Sequence, residues 1–185
     1  MASSTDICNL ALAYVGSKSI INLNDDDKRA RLCKQLYPIC RDELLRSHPW
    51  NFAIEEKDLA QLTSKPKCGF TRKFALPADF LRLIQLQSRY IDYRLEGGEI
   101  HTDEKAITIK YIAIIEDSER FDSAFTVTLS YRIAKDLAFA LADDSNLHNL
   151  MTDQYRRALA NARSMDAQEN PATVIYADEW LDSRR

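Results

Sequence analysis

A change of hydrophobic period, from helical to strand-like and back again, constrains this chain more than any other feature. Ala30, Cys33, Tyr37, Cys40 and Leu44 step by three and four residues, which places them on one narrow helical face. The spacing predicts a helix from the cap Asn24-Asp25-Asp26-Asp27 to about Ser47, bent at Pro38 but not broken, because the seam keeps its register across the proline. An earlier helix is predicted after Ser3-Ser4-Thr5, with Asp6 at its positive end. Ile7, Leu10, Ala11, Tyr14 and Val15 form its inner face and Gly16 its stop. Helical spacing returns after Phe121-Asp122-Ser123. Phe125, Leu129, Ile133, Leu137 and Leu141 recur every fourth residue, with Ala134, Ala138 and Ala142 beside them. Arg132, Lys135, Asp136 and Asp143 take the opposite side. Asp143-Asp144-Ser145 interrupts and recaps the chain before a last helix carrying Leu147, Met151, Tyr155, Ala158, Ala162 and Met165, to about Gln168.

The middle reads differently. Trp50 to Ile54, Phe70 to Leu76 and Phe80 to Gln87 read as extended segments, separated by polar or proline-containing breaks. Gly97-Gly98, flanked by Arg94-Leu95-Glu96 and Glu99-Ile100-His101, predicts a two-residue hairpin turn with positive φ. Ile107, Ile109, Tyr111 and Ala113 then alternate with Thr108 and Lys110. The fold class expected is α+β, mainly α. Residues 1–49 and 116–168 form one discontinuous helical bundle, 50–115 a small antiparallel β lobe joined by local pairings, and 169–185 an extended C-terminal arm.

Charge and residue usage narrow the function classes. With 25 basic and 28 acidic side chains the net charge is −3, so the chain lacks the positive footprint of a duplex-DNA binder. No apolar run reaches the roughly 18 residues a membrane crossing needs, and no signal peptide is visible at the start. The cysteines at 8, 33, 40 and 68 form no CxxC pair. Cys33 and Cys40 lie about two helical turns apart, too far to share a disulfide or a metal, which favours reduced, packed thiols. The histidines at 48, 101 and 148 fall on separate elements, and the four glycines make neither a dinucleotide nor a phosphate loop. Asp25 to Asp27 reads as a helix cap in preference to an acid–base group. Arg29, Arg31 and Lys34, like Arg156, Arg157 and Arg163, read as solvated faces or subunit salt bridges. The expectation is a non-enzyme without cofactor, metal or catalytic residues.

The C-terminal arm has no periodicity, yet it carries Val174, Ile175, Tyr176, Trp180 and Leu181. Apolar surface of that extent on a terminal segment packs on its own domain or docks on a neighbour. The second reading makes these five residues a partner interface, with Tyr176 and Trp180 as anchors.

Leu36-Tyr37-Pro38-Ile39-Cys40-Arg41-Asp42-Glu43-Leu44-Leu45-Arg46-Ser47-His48-Pro49-Trp50-Asn51-Phe52-Ala53-Ile54-Glu55-Glu56 resembles the tail tubular protein A family, the head-to-tail adaptors, or gatekeepers, of short-tailed bacteriophages. Phe74-Ala75-Leu76-Pro77-Ala78-Asp79-Phe80-Leu81 looks like that family's link into its β lobe, and Tyr93 to Ile100 like its hairpin. Phe121-Asp122-Ser123 looks like the entry to its late helices, so the likeness spans most of residues 4 to 168. The resemblance implies a structural virion protein that assembles as a dodecameric ring at the head–tail junction. That ring would bind the portal protein on one side and the tail nozzle protein on the other. It would line the DNA exit channel without reading sequence, after assembly in the host cytoplasm. It also implies that the hairpin residues Arg94, Glu96, Gly97, Gly98 and Glu99 face the tail and that Pro171 to Arg185 grips the portal. Three alternatives stand beside it: a connector or head-completion protein of a long-tailed phage or prophage, a nucleic-acid-binding module, and a carboxylate-dependent polysaccharide hydrolase.

Overall fold

Helix α1 (Ser4–Tyr14) starts where the hydroxyls cluster. Ser3 Oγ accepts the Asp6 N–H at 3.1 Å while the Asp6 carboxylate accepts the Ser3 N–H at 2.9 Å, a reciprocal capping box. It stops at Gly16, whose φ of 69° lets Ser17 N–H reach the Leu12 carbonyl and Gly16 N–H the Ala13 carbonyl, closing a Schellman motif. The computed structural model describes residues 2–67 and 69–169. The buried residues of α1 are Ile7, Cys8, Ala11 and Leu12. Leu10 and Tyr14, expected inside, are only half-buried, and Tyr14 instead stacks on Tyr131 with centroids 4.3 Å apart. The helix has turned its 7/8/11/12 stripe toward the third helix, a choice that spacing in one helix cannot decide.

Helix α2 (Lys28–Ser47) is capped by Asp27, which accepts the Arg29 N–H at 2.7 Å. Arg29 donates to the same carboxylate and holds its pKa far below the usual range. All five seam residues are buried, joined by Arg41 and Leu45. The helix runs unbroken through Pro38. Pro38 and Lys34 are both exposed, so the Lys34 carbonyl left without its helical donor lies on the solvated face.

The segment Trp50–Ile54, expected to be extended, begins with a 3₁₀ turn at Asn51–Ala53, and strand β1 runs only over Ile54–Asp58. Burial of Trp50 explains the turn. Its ring lies 5.2 Å from Phe125, edge to face, and its Nε1 donates to the Leu44 carbonyl at 2.9 Å, which folds the chain tightly after α2. Strands β2 (Arg72–Ala75), β3 (Phe80–Leu86), β4 (Tyr93–Glu96), β5 (Glu99–Thr102) and β6 (Thr108–Ala113) follow.

Pairing is not purely local. One antiparallel sheet has the order β1-β6-β3 and the other β2-β5-β4. Ile54 lies opposite Ile112, so β1 finds its partner at the far end of the strand region. The two sheets share a connection. Leu59 N–H still bonds the Ile107 carbonyl, and three residues on Leu62 N–H bonds the Lys73 carbonyl of β2.

Helix α3 (Ser123–Leu137) buries Phe125, Leu129, Ile133, Ala134 and Leu137 as its spacing predicts. It then widens into a π-turn over Ala138–Ala142, closed by Asp143 in the left-handed conformation at φ 48°. The wider turn rotates the stripe, so Ala142 is exposed, Leu141 is half-buried and Phe139 is 63% exposed. Asp144 accepts from the Asn146 and Leu147 N–H groups and starts helix α4 (Ser145–Glu169), the expected recap. On α4 the buried positions are Met151, Ala162 and Asp166, whereas Met165, expected in the core, is 45% exposed. Arg132 is a second departure. Instead of pointing away from the core it lies between helices, bonding Glu43 on α2 at 2.6 Å and Asp136 at 2.7 Å. Buried residues of the helices and of both sheets form one contiguous cluster.

Candidate interaction surface

The hairpin β4–β5 carries the residues singled out from sequence. Gly97 and Gly98 have φ of 58° and 79° and form a two-residue turn whose backbone twist matches the strands. Arg94, Glu96, Gly97 and Gly98 are exposed and Glu99 is half-buried. Arg94 pairs with Glu96 at 3.5 Å. Glu99 pairs with Lys73 on β2 at 2.9 Å and lies 3.4 Å from His101, contacts that hold its carboxyl below the usual range, Lys73 first. These polar groups occupy one face of the sheet.

The other face is apolar and only partly covered. Register places Phe74, Ile100 and Leu95 in one row across the sheet. Phe74 and Ile100 are buried, but Leu95 at the edge is 47% exposed. Tyr93 beside it is 45% exposed, and Tyr90 in the preceding loop 78%. The inner face of this sheet therefore continues past the protein's own core onto an edge strand whose outer backbone has no strand partner among the described residues. The glycines in the sequence located the turn. The uncovered aromatic edge was missed because alternation does not say where a core ends.

The five arm residues Val174, Ile175, Tyr176, Trp180 and Leu181 lie outside the described residues. A different apolar surface lies near the C-terminal end of α4. Ser123, Ala124 and Val127 at the start of α3 face Ala158, Asn161 and Met165 on α4 across an open groove of about 310 Å³. Sequence inspection had assigned Ala158 and Met165 to the core, and only the packing of α3 on α4 separates them from it.

Several groups able to do chemistry have structural partners among the described residues. His48 Nε2 lies 3.0 Å from Asp166 at the junction of α2 and α4, where Asp166 also accepts the Asn51 N–H at 2.9 Å. His148 Nδ1 lies 2.9 Å from the Lys135 carbonyl. Asp25 accepts from the Ile21 and Asn22 N–H groups, Asp26 pairs with Arg31 and Asp27 caps α2. Among the described residues, no three of His, Cys, Asp and Glu are close enough to hold a metal ion. Nor is any helix among them long and apolar enough to cross a membrane. Cys8, Cys33 and Cys40 are free and buried, and burial pushes the Cys40 thiol up to about 12.

In comparisons with known proteins, no family model matches the chain and no curated protein matches it.

Proposed function

We propose that the chain is a structural subunit of a head-to-tail adaptor ring, joining the portal to the tail nozzle of a bacteriophage and lining the DNA exit channel. On this reading it catalyses no reaction, and it is assembled in the host cytoplasm and kept in the virion. The observation that carries it is the apolar face of the β2-β5-β4 sheet running beyond the core to Tyr93 and Leu95. A row so uncovered suits contact with another protein. It also lies on the element that the resemblance assigns to the tail side.

A ring built from one chain needs two different faces that meet heterologously and close by rotation. The β hairpin and the helical bundle supply chemically different ones. The hairpin offers aromatic edge with compensated charge, and the helices offer solvated ion pairs such as Arg31–Asp26 and Arg156–Asp153. The net charge of −3 fits a channel wall along which a polyanion slides without being held.

The test is electron microscopy of the purified chain mixed with its portal. A closed ring seated on the portal is expected, and replacing both Tyr93 and Leu95 with Asp should abolish capture of the nozzle while leaving the helical content intact. A chain that remains monomeric beside its portal would overturn the proposal.

A further inference from the structure

We propose that the groove between α3 and α4 is the seat of this chain's own C-terminal segment, with Val174, Ile175 and Tyr176 covering it. The groove is apolar along Ala124, Val127, Ala158 and Met165, with Val127 38% and Met165 45% exposed. Exposed apolar side chains facing one another across two packed helices gain by being covered.

Reach selects the occupant. Met165 precedes Glu169, where α4 ends, by four residues, or about 6 Å of helix. The sixteen residues that follow begin Asn170-Pro171, and a proline there removes one helical N–H donor and disfavours the helical conformation at Asn170. Residues 170 to 174, if extended, span about 17 Å, enough to turn back and set Val174 beside Met165.

Charge then fixes the direction. From Val174 to Asp178 an extended chain covers about 13 Å, and from Met165 back to Arg157 the helix covers about 12 Å. Antiparallel to α4, the segment therefore brings Asp178 and Glu179 level with Arg157. Arg157 sits one helical turn before Asn161, which lines the groove, is exposed, and makes no ion pair among the described residues. Acidic side chains on the segment and a cation at the matching height make the seat complementary in sign as well as in polarity.

The proposal does not rest on the adaptor reading, and its test needs no portal. A photocrosslinking benzoylphenylalanine is placed at position 175 of the full chain, and equal amounts of isotopically light and heavy protein are irradiated together. Adducts are expected on peptides spanning 123–127 or 158–165, joining light to light and heavy to heavy only. Val127→Glu, on a partly exposed position that should leave the far-ultraviolet spectrum unchanged, should reduce those adducts about ten-fold, as should Arg157→Glu. Combining Arg157→Glu with Asp178→Arg and Glu179→Arg should restore them. Mixed light–heavy adducts would mean that a second copy fills the groove. Adducts confined to other surfaces would mean that the segment sits elsewhere. Either result overturns the proposal, and neither bears on whether the chain forms a ring with portal.

Discussion

Replacing Asp166 with alanine should destabilise the protein by about 2–4 kcal/mol, although the residue lies only three positions from the end of α4. The side chain is 8% exposed and works at a crossing point. One carboxylate oxygen accepts the Asn51 N–H at 2.9 Å, and the other lies 3.0 Å from His48 Nε2. Truncation takes the acceptor from a backbone donor in the tight turn after Trp50, which costs about 1–3 kcal/mol for a buried group. It also strips His48 of its partner, adding about 1 kcal/mol. For a chain of this length each kcal/mol lowers Tm by about 2–4 °C, so a fall of about 4–16 °C is expected in calorimetry. Asp166→Asn keeps an oxygen for the Asn51 N–H and should recover at least half of the loss. Native-state hydrogen exchange should show the Asn51 amide opening faster in the alanine variant before the interior of α3 does. A Tm within 2 °C of the parent, or equal losses for the alanine and asparagine variants, would refute this account of the junction.

Other outcomes follow from the same coordinates. Gly98→Val forces a β-branched residue to a φ of 79° and should cost about 1–2 kcal/mol, read as faster amide exchange across β4 and β5, whereas Gly97→Asn should be nearly neutral. Because Lys73 holds the Glu99 carboxyl below its ordinary 4.5, the folded form favours the charged state. Its contribution to hairpin protection should be complete above about pH 4.5 and fade as pH falls through the lowered value, and Lys73→Met should weaken that dependence, leaving the part that His101 supplies. Arg132→Met leaves Glu43 and Asp136 facing each other without their cation and should destabilise by about 3 kcal/mol in urea denaturation. Buried thiols should resist alkylation, so Cys8, Cys33 and Cys40 should react with iodoacetamide at pH 8 only after unfolding.

Local signals were read well from the sequence, and long-range ones were not. The 3-4 steps from Ala30 to Leu44 placed a whole helix face, and Gly16, Gly97 and Gly98 marked backbone conformations that few other residues accept. Asp144 recapped α4 as its position suggested. The partnership of β1 with β6 was hidden, because no residue between 54 and 58 encodes which of several strands will lie beside it. The π-turn at Ala138–Ala142 was hidden for a related reason: alanine fits a π-turn as readily as an α-turn, and only the contacts of the following helix choose. Hence Ala142 and Met165 were placed on the wrong side, whereas Leu129 and Ile133 were not. Of the surfaces considered, the hairpin was visible through its glycines. The groove on α3 and α4 was not, since Val127 and Met165 become neighbours only through packing.

The meeting of Ile54 with Ile112 has a kinetic side. Forming that pair closes a loop of about 58 residues, an entropic toll of roughly 3–4 kcal/mol before any constant, and it must be met before the strands reward it. Helices α3 and α4 can gather early as chain neighbours, while the β1–β6 zipper and the docking of α1 on α3, where Ser130 meets the Ile7 carbonyl across 123 residues, arrive late. Doubling the loop's length would add only about 0.6 kcal/mol, so insertions in the exposed turns between these two strands should slow closure little.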